Sequence, residues 1–336
     1  MPDLRGTTQR GCRKLRTASI LIICCLAFTS GCKTSDDAAA AATQLTATAS
    51  SLTGYYSALD TLLSETDQLY QIQAAINPLA PYDTPTKNYV TDTAAEIQKR
   101  EKLAAALTTL AREFAKLSRS TAATDASTAA GNLETAVAGL KISGVSMSTS
   151  NVNMMKDAVD LIVKAIQEHK EREAAAAIDK FTSALNTSFQ SEEPFYNTIG
   201  STYANVTQSL AKALINQGQV DPSQFLNAVF SPYGLTPQLT DPTIKSKMQT
   251  ILAAQVDQES AALEASQQTA TTNMEKSLSE MASRIHLVAI DKPMAIRVAP
   301  PTLTEVQNWI SLVPQIAPAA STTAAKSTTS TGTKSN

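Results

Sequence analysis

The chain has 336 residues, with 28 Lys and Arg against 30 Asp and Glu, 43% hydrophobic residues, 5% aromatic residues and four cysteines. Three hundred residues suffice for a sizeable core, but few aromatics and abundant Ala, Ser and Thr suit thin, closely packed helices better than a thick globular interior. Without a basic excess to displace counterions from phosphate, nucleic-acid binding is disfavoured.

The N-terminus carries Arg5, Arg10, Arg13, Lys14 and Arg16, then an apolar run of 11 residues from Ala18 to Phe28, then Thr29, Ser30 and Gly31 before Cys32. That order is an export signal. At ~1.5 Å per residue the run falls well short of the ~30 Å hydrocarbon core, so it is expected to be cleaved rather than to span. The stretch "FTSGC" resembles the lipobox of bacterial lipoproteins, with Thr29 standing where leucine is usual. The resemblance implies cleavage after Gly31 and acylation of Cys32, palmitate included, as the first mature residue. With Lys33 rather than Asp next, it also implies an outer-membrane address, lipid-anchored and facing the periplasm or the cell surface. The alternative is an ordinary secretory signal that leaves Cys32 as a lone thiol. Removing residues 1–31 takes away Cys12, Cys24 and Cys25, five basic residues and Asp3, so 23 basic and 29 acidic residues remain, a net charge of −6. One remaining cysteine permits neither an internal disulfide nor a Cys-based zinc site.

From Lys33 to about residue 50 the chain is small and alanine-rich, and is taken as a lipidated tether over 32–50, although it also fits the first turns of a helix. Leu52, Tyr56, Leu59, Leu63, Leu69 and Ile76 then recur at helical spacing up to Asn77-Pro78. "NPLAPYDTPTK" is a loop, and a second helix beginning near Thr86 is striped by Val90, Ile97, Leu103, Leu107, Leu110 and Phe114. In its charged run "EIQKREK", Glu96 and Arg100 are spaced as a solvent-side i,i+4 pair. Leu133, Val137 and Leu140 mark a shorter helix, and "KISGVSMSTSN" a second loop. Asn151 is placed as the cap of a helix over about 151–190, ~60 Å long, with Pro194 ending it and opening the next, which runs to Gly218. Asp221-Pro222 and Asp241-Pro242 read as cap-plus-first-turn pairs for helices at about 222–230 and 242–287. "HLVAIDKPMAIRVAPP" alternates like one or two short strands, and Leu303 to Val313, with Trp309, forms a last amphipathic piece. The Ser/Thr/Ala tail has nothing to bury and is expected to be disordered.

The search for chemistry finds little. His169 and His286 are the only histidines and lie far apart; there is no H-E-x-x-H, P-loop, G-x-S-x-G or Gly-rich dinucleotide turn. Adjacent Glu192 and Glu193 point to different sides of a helix. Met147, Met154 and Met155 fit core filling better than a soft metal site, and Tyr55, Tyr56 and Trp309 fit a helix seam as well as a docking face. The expected architecture is therefore an all-α, elongated antiparallel bundle of five or six helices, some long and coiled-coil-like. Its parts are a cleaved signal (1–31), a tether (32–50), a helical body (51–290), an irregular segment with a short helix (291–318) and a tail (319–336). The expected function is that of a non-enzymatic envelope lipoprotein without cofactor, catalytic residue or metal, presenting a helical surface to a protein partner or to itself as adaptor, spacer or assembly factor. Alternatives are a membrane-active bundle resembling α-helical pore-forming proteins, with "IHLVAI" as a short apolar segment of interest, and a carrier of a small apolar ligand.

Overall fold

A computed structural model describes residues 11–77, 81–117, 123–140, 148–168, 170–235, 238–290, 292 and 302–316, with only the backbone course given for 11–39. Among these residues the chain is all-α: α1 (Gly11–Ile76), α2 (Thr84–Leu117), α3 (Ala123–Ala138), α4 (Thr149–Gln167), α5 (Glu171–Asn216), α6 (Pro222–Phe230), α7 (Pro242–Ala289) and α8 (Thr302–Ile316), with one 3₁₀ turn at Ser231–Tyr233. The "IHLVAI" segment enters the end of α7, with Ile285 buried. Apart from Lys292, the rest of the stretch expected to hold strands, the loop residues Lys141 to Met147 and the tail from Ala317 lie outside the described residues, as does His169.

Helix α1 is the spine, packing against α2, α5, α7 and α8. Gln98 reaches Asp60 at 3.2 Å and Tyr82 stacks on Tyr70 at 5.2 Å, so α2 runs antiparallel to α1. Helix α5 runs parallel to α1: Tyr55 touches Phe189 and Tyr196, and further along Glu65 acts electrostatically on Tyr203. Helices α5 and α7 are antiparallel along their whole length. The pairs Asp179 with His286, Gln190 with Glu275, Gln208 with Asp257 and Gln249 with Ile215 step down the seam.

Four expectations change. The tether over 32–50 does not remain outside the body: residues 40–50 continue α1, and Ala41, Ala42, Leu45 and Ala49 are buried. Alanines at helical spacing let a neighbouring helix approach closely, so a segment poor in large side chains still packs. The helix expected over 151–190 is two helices folded back on each other. No described residue between Ile166 and Ala174 is buried, so no core contact carries the helix through "QEHKERE". Ser148, not Asn151, caps α4, its Oγ accepting the Asn151 N–H at 3.2 Å. Conversely, Pro194 neither ends nor starts a helix but sits within α5. Its missing N–H costs one backbone bond, and buried Phe189, Glu192, Tyr196 and Ile199 on both sides hold the helix together across it.

Asp221 and Asp241 do cap α6 and α7, accepting the N–H groups of Ser223 (3.0 Å) and Thr243 (2.7 Å). These caps open an arm. From Pro242 to Ser266 no residue of α7 is buried, Gln267 being the first, while Val206, Leu210 and Ile215 of α5 are buried outside the main core. The α5–α7 hairpin thus runs on beyond the buried core, with α6 and the 3₁₀ turn at its tip.

Candidate functional site

The densest polar chemistry lies inside the bundle. Arg100 on α2 is 1% exposed, and Glu96 and Glu192 are 8% and 6% exposed. Arg100 grips Glu192 of α5 with two parallel bonds, Nε to Oε2 at 3.0 Å and Nη2 to Oε1 at 2.5 Å. Its Nη1 donates to the Glu96 backbone oxygen at 2.9 Å and to Glu96 Oε2 at 3.3 Å. The guanidinium also lies 5.8 Å from the centre of the Phe195 ring. This planar fork satisfies a buried carboxylate with fixed geometry, which an ammonium does less well.

The network continues through tyrosines. Tyr196 donates its hydroxyl to Glu192 Oε2, and the Tyr56 hydroxyl meets that of Tyr196 at 3.2 Å. Next to it, Tyr55 OH is 2.8 Å from Thr271 Oγ1 of α7, and Gln267 Nε2 donates to both the Tyr196 carbonyl and Thr271 Oγ1 at 3.0 Å. Trp309 of α8 leans on Tyr55 with ring centres 5.3 Å apart. Five helices therefore meet around Tyr55, Tyr56 and Tyr196.

Burial sets the ionisation states. Desolvation, outweighing the hydroxyl bond to Thr271, pushes the Tyr55 phenol well above its ordinary value. Burial and then the Glu192 charge do the same for Tyr56, and burial, Tyr56 and Glu192 for Tyr196. For Arg100, burial works against the charge, but the hydrogen bonds and charge of Glu192 win and hold its pKa above the usual arginine value. The tyrosines are thus neutral and Arg100 is charged at any physiological pH. Arg100, Glu192 and the three tyrosines are all nearly or wholly shut off from solvent, and the arrangement locks helices to one another.

Sequence reasoning placed Glu96 and Arg100 on a wet face. The charged run hides a residue that the apolar stripe Ile97, Leu103, Leu107 carries inward with it. The available signal was Glu192 in α5, whose helix-mate four residues on, Tyr196, is fully buried. The other singled-out residues do not converge. His286 Nδ1 lies 2.9 Å from Asp179 Oδ2 at the surface; Met155 is buried while Met154 is 45% exposed; Glu192 is used by Arg100 without Glu193. Among the described residues no group of three or more His, Cys, Asp or Glu is placed to hold a metal ion. Gly31 and Cys32 fall within the backbone span of α1, their side chains outside the described set. No described helix is long and apolar enough to cross a membrane.

No family model, curated protein or solved structure matches this chain.

Proposed function

We propose that the protein is a non-enzymatic envelope lipoprotein, anchored through acylated Cys32 and presenting its helical body to another envelope component as an adaptor, spacer or assembly factor. One observation carries the reading. The lipobox-like "FTSGC" ends nine residues before Ala41, the first buried residue among those of α1 whose side chains are described, and α1 is the helix on which α2, α5, α7 and α8 pack. Acyl chains on Cys32 would thus be coupled to a stiff spine rather than to a floppy leash. Several buried acyl chains, at ~0.8 kcal/mol per CH₂, hold such a body on a bilayer durably. The outer membrane is the proposed site because Lys33 follows Cys32.

Crosslinking of the lipidated protein in intact host cells, followed by capture and mass spectrometry, tests the reading. A reproducible envelope component, protein or lipid, joined to the helical body supports presentation to a partner. Recovery of the protein crosslinked only to itself overturns it in favour of self-assembly.

A further inference from the structure

Large apolar side chains exposed to solvent are concentrated at one end of the molecule. Val229, Phe230, Tyr233, Leu235, Ile244 and Ile251 are 36–75% exposed, all on the α6 tip or the adjoining first turns of α7. Tyr233, at 75%, is the most exposed and closes the 3₁₀ turn beside Gly234, whose φ of +68° is the left-handed conformation that glycine adopts without strain.

The same segment is stripped of charge. Between Asp221 and Asp241 none of the residues 222–240 is charged, in a chain where 17% are. The two flanking carboxylates are occupied by helix-terminal N–H groups, and the next charges along the chain are the cations Lys245 and Lys247. An apolar turn with a tyrosine at its apex and lysines behind it is suited to the interface of an anionic bilayer, where the apolar groups enter the acyl boundary and ammonium groups meet phosphate. The tip is the outer bend of a helical hairpin.

Direction adds a constraint. Because α5 runs parallel to α1, the arm lies toward the C-terminal end of α1. The buried length of α1 from Ala41 to Thr66 spans roughly 38 Å at ~1.5 Å per residue, and Cys32 precedes that length. We propose that the α6 tip inserts into the surface of a second bilayer, facing the one that holds the acyl chains, so that the protein bridges two membranes. This rests on the lipoprotein reading for the first membrane and names the second component.

Proteoliposomes carrying the full lipidated protein are mixed with protein-free vesicles of phosphatidylethanolamine and phosphatidylglycerol containing a labelled lipid, and capture is measured by co-flotation. Wild-type protein captures the vesicles, and Tyr233→Asp with Leu235→Asp lowers capture about tenfold, while Met154→Asp with Leu161→Asp, on the exposed face of α4, leaves it unchanged. Absence of capture, capture indifferent to the tip substitutions, or capture only of vesicles that also carry the protein overturns the proposal. A photo-crosslinking side chain in place of Tyr233 separates this from failure of the anchor. Reaction with the labelled lipid supports the tip's role even where the N-terminus proves to carry no acyl chain; reaction only with protein overturns it.

Discussion

Arg100 of α2 and Glu192 of α5 form a bidentate ion pair shut away from solvent, with Tyr196 donating to the same carboxylate. Both side chains are buried, so the pair joins α2 to α5 and fixes how far each helix is slid along the other. Breaking one side of such a pair strands a buried charge, whereas replacing both sides by apolar groups removes the desolvation cost as well. Glu192→Leu is therefore expected to cost about 3–5 kcal/mol, and Arg100→Met with Glu192→Leu much less than the sum of the single changes. Urea unfolding of the four proteins of this cycle measures the difference; additive costs would show that the pair is not coupled.

Alkali should unfold the protein through its tyrosines. Tyr55, Tyr56 and Tyr196 have folded-state pKa values raised above the ordinary 10.0, so folding favours their protonated forms. Their contribution is complete below about pH 10 and declines as pH rises beyond it, by up to ~1.4 kcal/mol per pH unit for each tyrosine. Tyrosinate absorbance from these three should appear together with loss of helical circular dichroism. Their ionisation in a protein that stays fully helical would contradict the burial described.

Two glycine substitutions should act in opposite directions. A Cβ on Gly200 would lie 2.7 Å from Gln267 Oε1 and 2.8 Å from its Cδ and Cγ, which are held in the core by the bonds to Tyr196 and Thr271. Gly200→Ala should thus destabilise by about 1–2 kcal/mol net, the lost packing and hydrogen bonds exceeding the gain in helix propensity. Gly131 of α3 has nothing within 4 Å of an added Cβ, so Gly131→Ala should stabilise by ~0.5–1 kcal/mol. Thermal melts read both signs.

The C-terminal helix should be indispensable and the tail dispensable. Leu303, Val306, Trp309 and Val313 are buried, and Tyr203 donates its hydroxyl to the Ile316 carbonyl at 3.1 Å. Trp309→Ala should cost about 3–5 kcal/mol. Truncation before Ala319 should leave the cooperative melt unchanged, and truncation before Thr302 should lower it sharply. Trp309 is the single tryptophan, so its emission should be blue in the native protein and shift red on unfolding.

How much of this was legible follows from which forces decided each feature. Helix identity was readable wherever large apolar residues recurred at helical spacing, as along α2, or where Asp-Pro pairs announced α6 and α7, because those signals are local. The α4–α5 reversal and the continuity through Pro194 were not, since both turn on which neighbours are packed alongside. Arg100 was misread for the same reason: a charge is placed inside only when a partner from a distant segment, here Glu192, meets it. The tip was half legible. Its lack of charge stands in the sequence, but its exposure required knowing that α7 has no cover before Gln267. Cys32 remains a reading of sequence alone.

The most direct measurement of the central claim is fractionation of host cells producing the wild-type chain or Cys32→Ser, with mass spectrometry of the N-terminal peptide. Wild-type protein is predicted in the outer-membrane fraction, beginning at Cys32 with its acyl chains, and the variant is predicted to be lost from that fraction. A Cys32→Ser protein that still fractionates with the outer membrane, or a wild-type N-terminus without lipid, would contradict the account.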